Sequence, residues 1–145
     1  FFTPMVWKLR IRQGKRVRQQ VPFMPDLLFV YDSRKVLDPL VEQIATLQYR
    51  FVKGGNHQPM TVRNADMERF IRAVDAMNNP CFYTPEEINP DMLGKKVRIV
   101  GGLLDGYEGC LQKMQGSRIK RLFVELPNLL TATVEVQPEF IQVLR

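Results

Sequence analysis

Apolar and polar positions alternate near the start of the chain in a pattern that predicts extended structure. Residues 5–11 place apolar side chains among basic ones, and a Gln-Gly-Lys turn signal allows 17–21 to return as the second strand of a hairpin. Pro22 and Pro25 end this pairing. Residues 27–31 then form a continuous apolar run of strand length, which is typical of the middle of a sheet.

The next stretch follows the 3.6-residue period of an amphipathic helix. Asp32 or Ser33 caps it, and Pro39 lies inside it, so the helix proper is expected to begin near Asp38. The apolar positions that carry the period are Val36, Leu37, Leu40, Val41 and Ile44.

A further strand and a second helix are predicted between residues 49 and 78. Residues 49–53 have the composition of a strand, which a Gly-Gly-Asn sequence ends. Asn64 opens the second helix, and the Asn-Asn-Pro sequence at 78–80 stops it. The expected buried side of this helix consists of Met67, Phe70, Ile71 and Val74.

The last third of the chain changes to a period of two. Residues 78–93 contain three prolines and no sustained period, which is typical of a linker. After it, five short strands in about 50 residues imply a small barrel. We therefore predict an α+β chain in three parts. Residues 1–78 form an antiparallel sheet with flanking helices, 79–93 form a linker, and 94–145 form an all-β barrel.

The composition excludes several classes of protein. The chain has 145 residues, of which 45% are hydrophobic and 25% charged, as in ordinary globular domains. No apolar run approaches the ~18–20 residues of a membrane span, and the start lacks the pattern of a signal peptide. Cys81 and Cys110 are too few for a disulfide framework. We expect both to be buried thiols of a cytoplasmic protein.

Basic residues are concentrated at the start of the chain. Residues 1–25 contain six of them and no acidic residue, whereas 26–93 contain seven basic and ten acidic residues. A period of two places Lys8, Arg10 and Arg12 on one face of a strand. We predict that this region contacts the phosphates of duplex DNA. The predicted nucleic-acid-binding residues are Lys8, Arg10, Arg12, Lys15, Arg16 and Arg18.

No constellation of side chains supports catalysis, a metal site or a cofactor site. His57 is the single histidine, and we expect it in an exposed turn without a nucleophile or an orienting partner. The two cysteines lack the spacing of metal ligands. The Gly-Lys-Lys sequence at 94–96 does not form a phosphate loop, because Asn89 replaces the earlier glycine and Lys96 replaces Ser or Thr. We predict a protein that is not an enzyme.

The segment 94–110, Gly-Lys-Lys-Val-Arg-Ile-Val-Gly-Gly-Leu-Leu-Asp-Gly-Tyr-Glu-Gly-Cys, resembles a KOW motif. In that motif an alternating strand leads through a glycine-rich turn into a second strand. The turn needs glycine because a sharp corner demands positive φ or close approach of backbones. The resemblance continues through a hairpin turn at 116–118 to a closing strand at 139–143.

The preceding part of the chain resembles the NGN domain of the NusG family. The resemblance is carried by Phe2-x-Pro4, the basic hairpin and the run Pro-Phe-Met-Pro-Asp-Leu-Leu-Phe-Val at 22–30, with support from 49–52 and 59–62. Together with the KOW motif, it covers nearly the whole chain.

Some residues of the match point to one branch of the family, and others differ from the family's sequence. Residues 126–136 are similar to the UpxY-type branch of specialised NusG paralogues of Bacteroides. Asp26 and Leu27 stand where the family has Gly-Tyr. The family's first strand and first helix belong ahead of Phe1, so we expect this chain to be a fragment with an incomplete NGN domain and an exposed sheet edge.

The resemblance implies a factor that binds transcribing RNA polymerase and reduces pausing or termination. Its NGN domain would lay an apolar surface on the polymerase clamp helices, close to upstream or non-template DNA. The matching positions are Met24, Pro25, Leu27, Phe29, Tyr49 and Phe51. Because residues 27–30 alternate between two faces, about half of them must lie in the core: Leu28 and Val30 are expected there, and Leu27 and Phe29 are either core or contact residues.

The resemblance also assigns partners to the SH3-like KOW barrel. In the family its glycine-rich turn contacts Rho or a small-subunit ribosomal protein, and the matching positions are Leu103, Leu104, Gly106 and Tyr107. Some family members fold this domain as helices, but the β-branched residues of 119–136 favour the barrel here. The implied protein is a monomer. An RNA- or ribosome-binding KOW protein that acts in translation is the alternative, and an enzyme ranks below both.

Overall fold

The computed structural model describes residues 1–76, 80–114 and 118–145. Within these ranges the chain has two α-helices and two antiparallel sheets, one of two strands and one of six, which confirms the predicted α+β class. The elements are β1 (Met5–Arg12), β2 (Lys15–Pro22), α1 (Arg34–Gln43), α2 (Asn64–Asp75), β3 (Cys81–Tyr83), β4 (Leu93–Ile99), β5 (Glu108–Gln112), β6 (Lys120–Leu126), β7 (Leu130–Val136) and β8 (Ile141–Val143). The predicted helix stop at 78–79 and the turn at 116–117 lie outside the described residues.

Strands β1 and β2 form the predicted hairpin. They pair in unbroken register as far as Arg12 opposite Lys15, so the connection between them has two residues. Gln13 and Gly14 both have positive φ, 50° and 74°, as expected for a two-residue turn that matches the twist of its strands. This turn therefore fixes the register of the basic residues.

The second sheet has the strand order β3-β7-β6-β5-β4-β8, and all its neighbouring strands are antiparallel. Strands β4 to β8 lie where the sequence predicts five short strands. Gly109 allows β5 and β6 to approach closely, because a Cβ atom at this position would lie 2.8 Å from the carbonyl oxygen of Phe123.

Strand β3 lies in the segment predicted to be a linker. It pairs with β7, and Phe82 is buried in the same apolar cluster as residues of α2, β4, β6 and β7. The linker prediction for 79–93 is therefore wrong for this strand, because three residues close to a proline are too few to show a period. The division of the chain into domains at residues 78 and 94 stays a prediction.

Five phenylalanine rings join the first residues of the chain to α2 and β3. Phe70 of α2 is fully buried, and its ring centroid lies 6.3 Å from that of Phe2 and 6.2 Å from that of Phe82. Phe2 lies 6.3 Å from Phe29, and Phe82 lies 5.5 Å from Phe23. Ring pairs of this kind add about 0.5–1.5 kcal/mol each to the gain from burial. We call these five residues the phenylalanine cluster.

Helix α2 begins at Asn64, as predicted, and packs on β6 and β7. Phe70 and Val74 are buried, while Met67 and Ile71 are half-buried, which confirms the predicted buried side. The sheet that receives this side is the six-stranded one, which the prediction assigned to a separate barrel.

Helix α1 differs from the prediction at its start. It begins at Arg34 rather than near Asp38, and Pro39 lies inside it. A proline in this position removes one backbone hydrogen bond, but the carbonyl of Ser33 still accepts from two amides of the first turn. None of the ten residues of α1, all of which are described, is buried.

The two strands predicted at 27–31 and 49–53 are reduced to single β-bridges. Phe29 pairs with Phe2, and Phe51 pairs with Pro59. Neither pairing extends into a ladder. Pro59, which lacks an amide hydrogen, is itself a bridge residue, and Pro4 lies two residues after Phe2.

Thr133 provides a test of packing in the six-stranded sheet. Its side chain is fully buried, and its hydroxyl has no hydrogen-bond partner among the described residues. Thr133→Val removes this unpaired hydroxyl at nearly constant shape, so we expect it to raise the free energy of unfolding by about 1 kcal/mol. Chemical denaturation measures the change.

Thr133→Ser is the matched control. It keeps the hydroxyl and removes the methyl group, so it should lower the free energy of unfolding by about 1 kcal/mol. A valine variant that is no more stable than the parent protein would contradict an unpaired hydroxyl at this position.

Candidate nucleic-acid and protein interfaces

The register of the hairpin places four cationic side chains on one exposed face. Residues directly opposite each other in β1 and β2 share a face, and side chains alternate along each strand. This confirms the prediction that Lys8, Arg10 and Arg12 lie together, and Lys15 joins them because it is paired with Arg12. We call Lys8, Arg10, Arg12 and Lys15 the cationic face.

Arg16 and Arg18 lie on the opposite face of the hairpin, so the six predicted nucleic-acid-binding residues do not form one surface. Their face also carries Trp7, Leu9 and Ile11, all of them exposed. The guanidinium carbon of Arg18 lies 4.8 Å from the centroid of the Trp7 ring, within the range of a cation–π interaction. The alternation of apolar and basic residues over 7–11 is the sequence signal for this apolar face.

The expected polymerase-binding run, 24–30, has the opposite orientation to the one predicted. Leu27 is buried, and Phe29 packs half-buried against the core, whereas Leu28 is 46% exposed and Val30 49% exposed. The core positions expected for Leu28 and Val30 are therefore wrong, and Leu27 takes the core position that was the alternative to its contact role. Two backbone hydrogen bonds between Phe29 and Phe2 hold this segment, and the Phe29 ring lies in the phenylalanine cluster.

The remaining predicted polymerase contacts differ in accessibility. Pro25 is exposed, and Met24 is half-buried against the core. Phe51 is 44% exposed, with its ring edge-on to His57, which lies in an exposed turn as expected. Tyr49 is half-buried, and its hydroxyl donates a hydrogen bond to the Asp38 carboxylate, which lowers the pKa of Asp38 and raises the pKa of Tyr49.

Only part of the predicted KOW contact site is accessible. Leu103 is 74% exposed and Gly106 is exposed, with a φ of 86° that favours glycine. Leu104 and Tyr107 are buried, so their predicted roles as contact residues are wrong. A glycine-rich turn suggests surface residues, but this turn folds back toward α2 and encloses both side chains.

Tyr107 instead joins the turn to α2. Its hydroxyl donates a hydrogen bond of 2.8 Å to the Arg69 carbonyl, and the Arg69 guanidinium lies 4.8 Å from the ring centroid. The same guanidinium donates to the carbonyl of Glu108. Burial raises the pKa of Tyr107 because the phenolate form would lose hydration.

The two cysteines are more accessible than the sequence predicts. Cys81 is exposed and Cys110 is intermediate in exposure, so the expectation of two buried thiols is wrong. Within residues 1–76, 80–114 and 118–145, no cluster of His, Cys, Asp and Glu is suited to a metal ion. In the same ranges, neither helix has the length and hydrophobicity that crossing a membrane requires.

Comparisons of the chain with protein-family models, with curated proteins and with solved structures found no match.

Tyr107 and Leu103 provide a test of which turn residue is structural. Tyr107→Phe removes the hydrogen bond to the Arg69 carbonyl, so we expect the free energy of unfolding to fall by about 0.5–1.5 kcal/mol. Leu103→Ser should change it by less than about 0.5 kcal/mol, because the side chain is exposed. Denaturant titration of both variants measures the difference. A Leu103 variant that is less stable than the Tyr107 variant would contradict the structural role of Tyr107 and the exposed position of Leu103.

Proposed function

We propose that the protein is a non-enzymatic transcription elongation or antitermination factor of the NusG type, with an NGN-like first part and a KOW barrel. It binds RNA polymerase through the first part, contacts DNA through the hairpin, and reduces pausing or termination. The observation that carries the nucleic-acid contact is the cationic face, because four basic side chains stand on one exposed face of a hairpin that contains no acid. Such a surface favours a polyanion.

The second support is an exposed apolar segment outside the hairpin. Pro25, Leu28 and Val30 present nonpolar surface, while Leu27 and Phe29 anchor the segment to the core. Apolar groups on a rigidly held segment suit a partner helix, since such a segment gives up little conformational freedom on binding. We assign the polymerase contact to these exposed residues, in place of Leu27.

The third support is the arrangement of the carboxy-terminal strands. Strands β4 to β8 are antiparallel, and a glycine-rich turn connects β4 to β5, an arrangement that is compatible with a KOW motif. Leu103 stands out from this turn as an exposed apolar side chain. We propose that it contacts the second partner, for which Rho and a small-subunit ribosomal protein are the candidates.

An RNA-binding protein of the ribosome is the alternative function. The cationic face favours it equally, because RNA phosphates carry the same charge as those of DNA. The exposed 25–30 segment favours polymerase. In vitro transcription with the cognate polymerase distinguishes the two functions, because only the proposed factor changes pausing or read-through. Co-sedimentation with ribosomes in the absence of polymerase binding would favour the alternative.

The cationic face leads to a prediction about salt dependence. Replacing Arg10, Arg12 and Lys15 with glutamine should weaken binding to a duplex DNA probe. It should also reduce the slope of log affinity against log salt by about 0.9 for each phosphate that the variant no longer neutralises. Titration at several salt concentrations measures both quantities. The control variant replaces the exposed Lys35, Lys53 and Arg63 with glutamine, which makes the same change in net charge. Equal effects of the two triple variants would contradict a specific cationic face.

The exposed apolar segment leads to a prediction about polymerase binding. The double variant Leu28→Glu, Val30→Glu should reduce capture of core RNA polymerase at least about tenfold, because the new charges would have to be desolvated in the contact. The free energy of unfolding should change little, since both side chains are about half exposed. Val143→Glu in β8 is the control, because it adds charge at a similarly exposed apolar position elsewhere. Undiminished capture by the double variant would contradict this polymerase-binding surface.

A further inference from the structure

An open groove of about 850 Å³ separates the hairpin from the end of α2 and from β3. The Trp7 face of the hairpin forms one wall, and Phe82 and Val74 contribute to the other. Lys8 is shared with the cationic face, but Arg10, Arg12, Lys15 and the exposed 25–30 segment do not line the groove, so its occupant lies beyond the proposed function.

Edges of two strands border this groove. Strand β1 contributes five consecutive residues, 5–9, whereas β2 contributes only alternate ones. Since side chains alternate between the faces of a strand, a consecutive run lines a cavity where the cavity meets the edge of the strand. The consecutive run 80–82 places the edge of β3 on the other side.

Both edges are unpaired among the described residues. Strand β1 pairs only with β2, and β3 pairs only with β7. An unpaired edge presents backbone amide and carbonyl groups that another strand can satisfy. The occupant that suits this groove is therefore an extended peptide rather than a helix, whose backbone groups bond to one another.

The side chains beside the edge of β1 define the sequence of that peptide. Trp7 and Leu9 point to one face of the strand, and Lys8 points to the other. A strand added to this edge would place alternate residues next to Trp7 and Leu9, where apolar groups fit beside the Arg18 side chain that lies over Trp7, and the residue between them next to Lys8. Opposite charges stabilise such cross-strand pairs, so an acidic residue fits beside Lys8, while Asp75 lies on the α2 side of the groove.

We propose that the groove binds an extended segment of a partner protein in which apolar and acidic residues alternate. Five residues of β1 line the groove, which corresponds to about 17 Å of extended peptide. The segment pairs its backbone with the free edge of β1. It places apolar side chains against Trp7, Leu9 and Phe82, and an acidic side chain beside Lys8.

The first experiment measures binding of three labelled seven-residue peptides by fluorescence anisotropy. In each peptide glutamate alternates with one apolar residue, which is valine, leucine or phenylalanine. We expect at least one of them to bind with a Kd below about 1 mM. Binding by none of the three would overturn the proposal, as would equal binding of peptides in which lysine replaces glutamate.

Two substitutions on one face of β1 locate the peptide. Leu9 is 70% exposed and lines the groove, whereas Ile11 is 77% exposed, lies on the same face and does not line it. Leu9→Glu should weaken peptide binding about tenfold or more, and Ile11→Glu by less than about twofold. Equal effects would overturn the assignment to the groove. Lys8→Glu should reverse the preference between the glutamate and lysine peptides.

Backbone pairing and position are tested separately. N-methylation of every second peptide residue removes the amide donors along one edge of the added strand. Only one of the two possible sets of alternate residues faces β1, so methylation of that set should abolish binding. If neither set has an effect, strand addition is overturned. A chloroacetyl group on the peptide should alkylate Cys81, which is exposed and lines the groove, in preference to Cys110. The Cys81 sulfur forms the new bond to carbon as chloride leaves and the thiol proton passes to water.

Other occupants would give different results. Displacement of the peptide by a single-stranded oligonucleotide such as dT₁₅ at low concentration, with loss of oligonucleotide binding in Leu9→Glu, would assign the groove to single-stranded nucleic acid. Self-association that Leu9→Glu abolishes would assign it to a second copy. Loss of peptide binding in a chain extended ahead of Phe1 would assign it to the protein's own chain. Each of these results would overturn the partner peptide.

Discussion

The burial of Phe70 between Phe2 and Phe82 is the contact on which the arrangement of the chain depends. Phe2 is bonded through its backbone to the 27–29 segment, Phe70 belongs to α2, and Phe82 belongs to a strand of the six-stranded sheet. One fully buried side chain therefore connects three parts of the chain that are distant in sequence. Truncating a buried phenylalanine to alanine typically costs about 3–5 kcal/mol, a large part of the ~5–15 kcal/mol that stabilises a whole domain.

The hairpin extends away from the phenylalanine cluster. Near its turn neither face is covered, so the two faces can differ strongly. Val21 is buried and Val6 is half-buried at its base, whereas the residues near the turn are exposed on both faces. If one face of the sheet were covered by the core, only the other face would be exposed to water. A two-stranded sheet free on both faces can present cations on one side and apolar groups on the other. The proposed nucleic-acid and peptide contacts both follow from this separation.

Sequence patterns predicted which side of a segment is buried wherever local periodicity determines it. They failed where contacts with residues distant in sequence determine it. The cationic face follows from a period of two within eight residues, and the buried side of α2 follows from a period of 3.6. The run at 27–30 is apolar at every position, so it contains no period that indicates which side faces the core, and the bonds to Phe2 decide instead. Tyr107 and the groove depend in the same way on α2, which is far away in sequence.

Lys8 belongs to the cationic face and also stands beside the edge of β1 that borders the groove. An acidic residue of a bound peptide would neutralise part of the charge that attracts phosphates, and a bound phosphate would neutralise the charge that attracts the acidic residue. The two proposed ligands should therefore weaken each other's binding, and by thermodynamic linkage the factor must be the same in both directions. The separation of the two faces limits this coupling to Lys8, because Arg10, Arg12 and Lys15 do not line the groove. The hairpin can thus hold both ligands at once, with a mutual penalty that decreases as salt screens the charges.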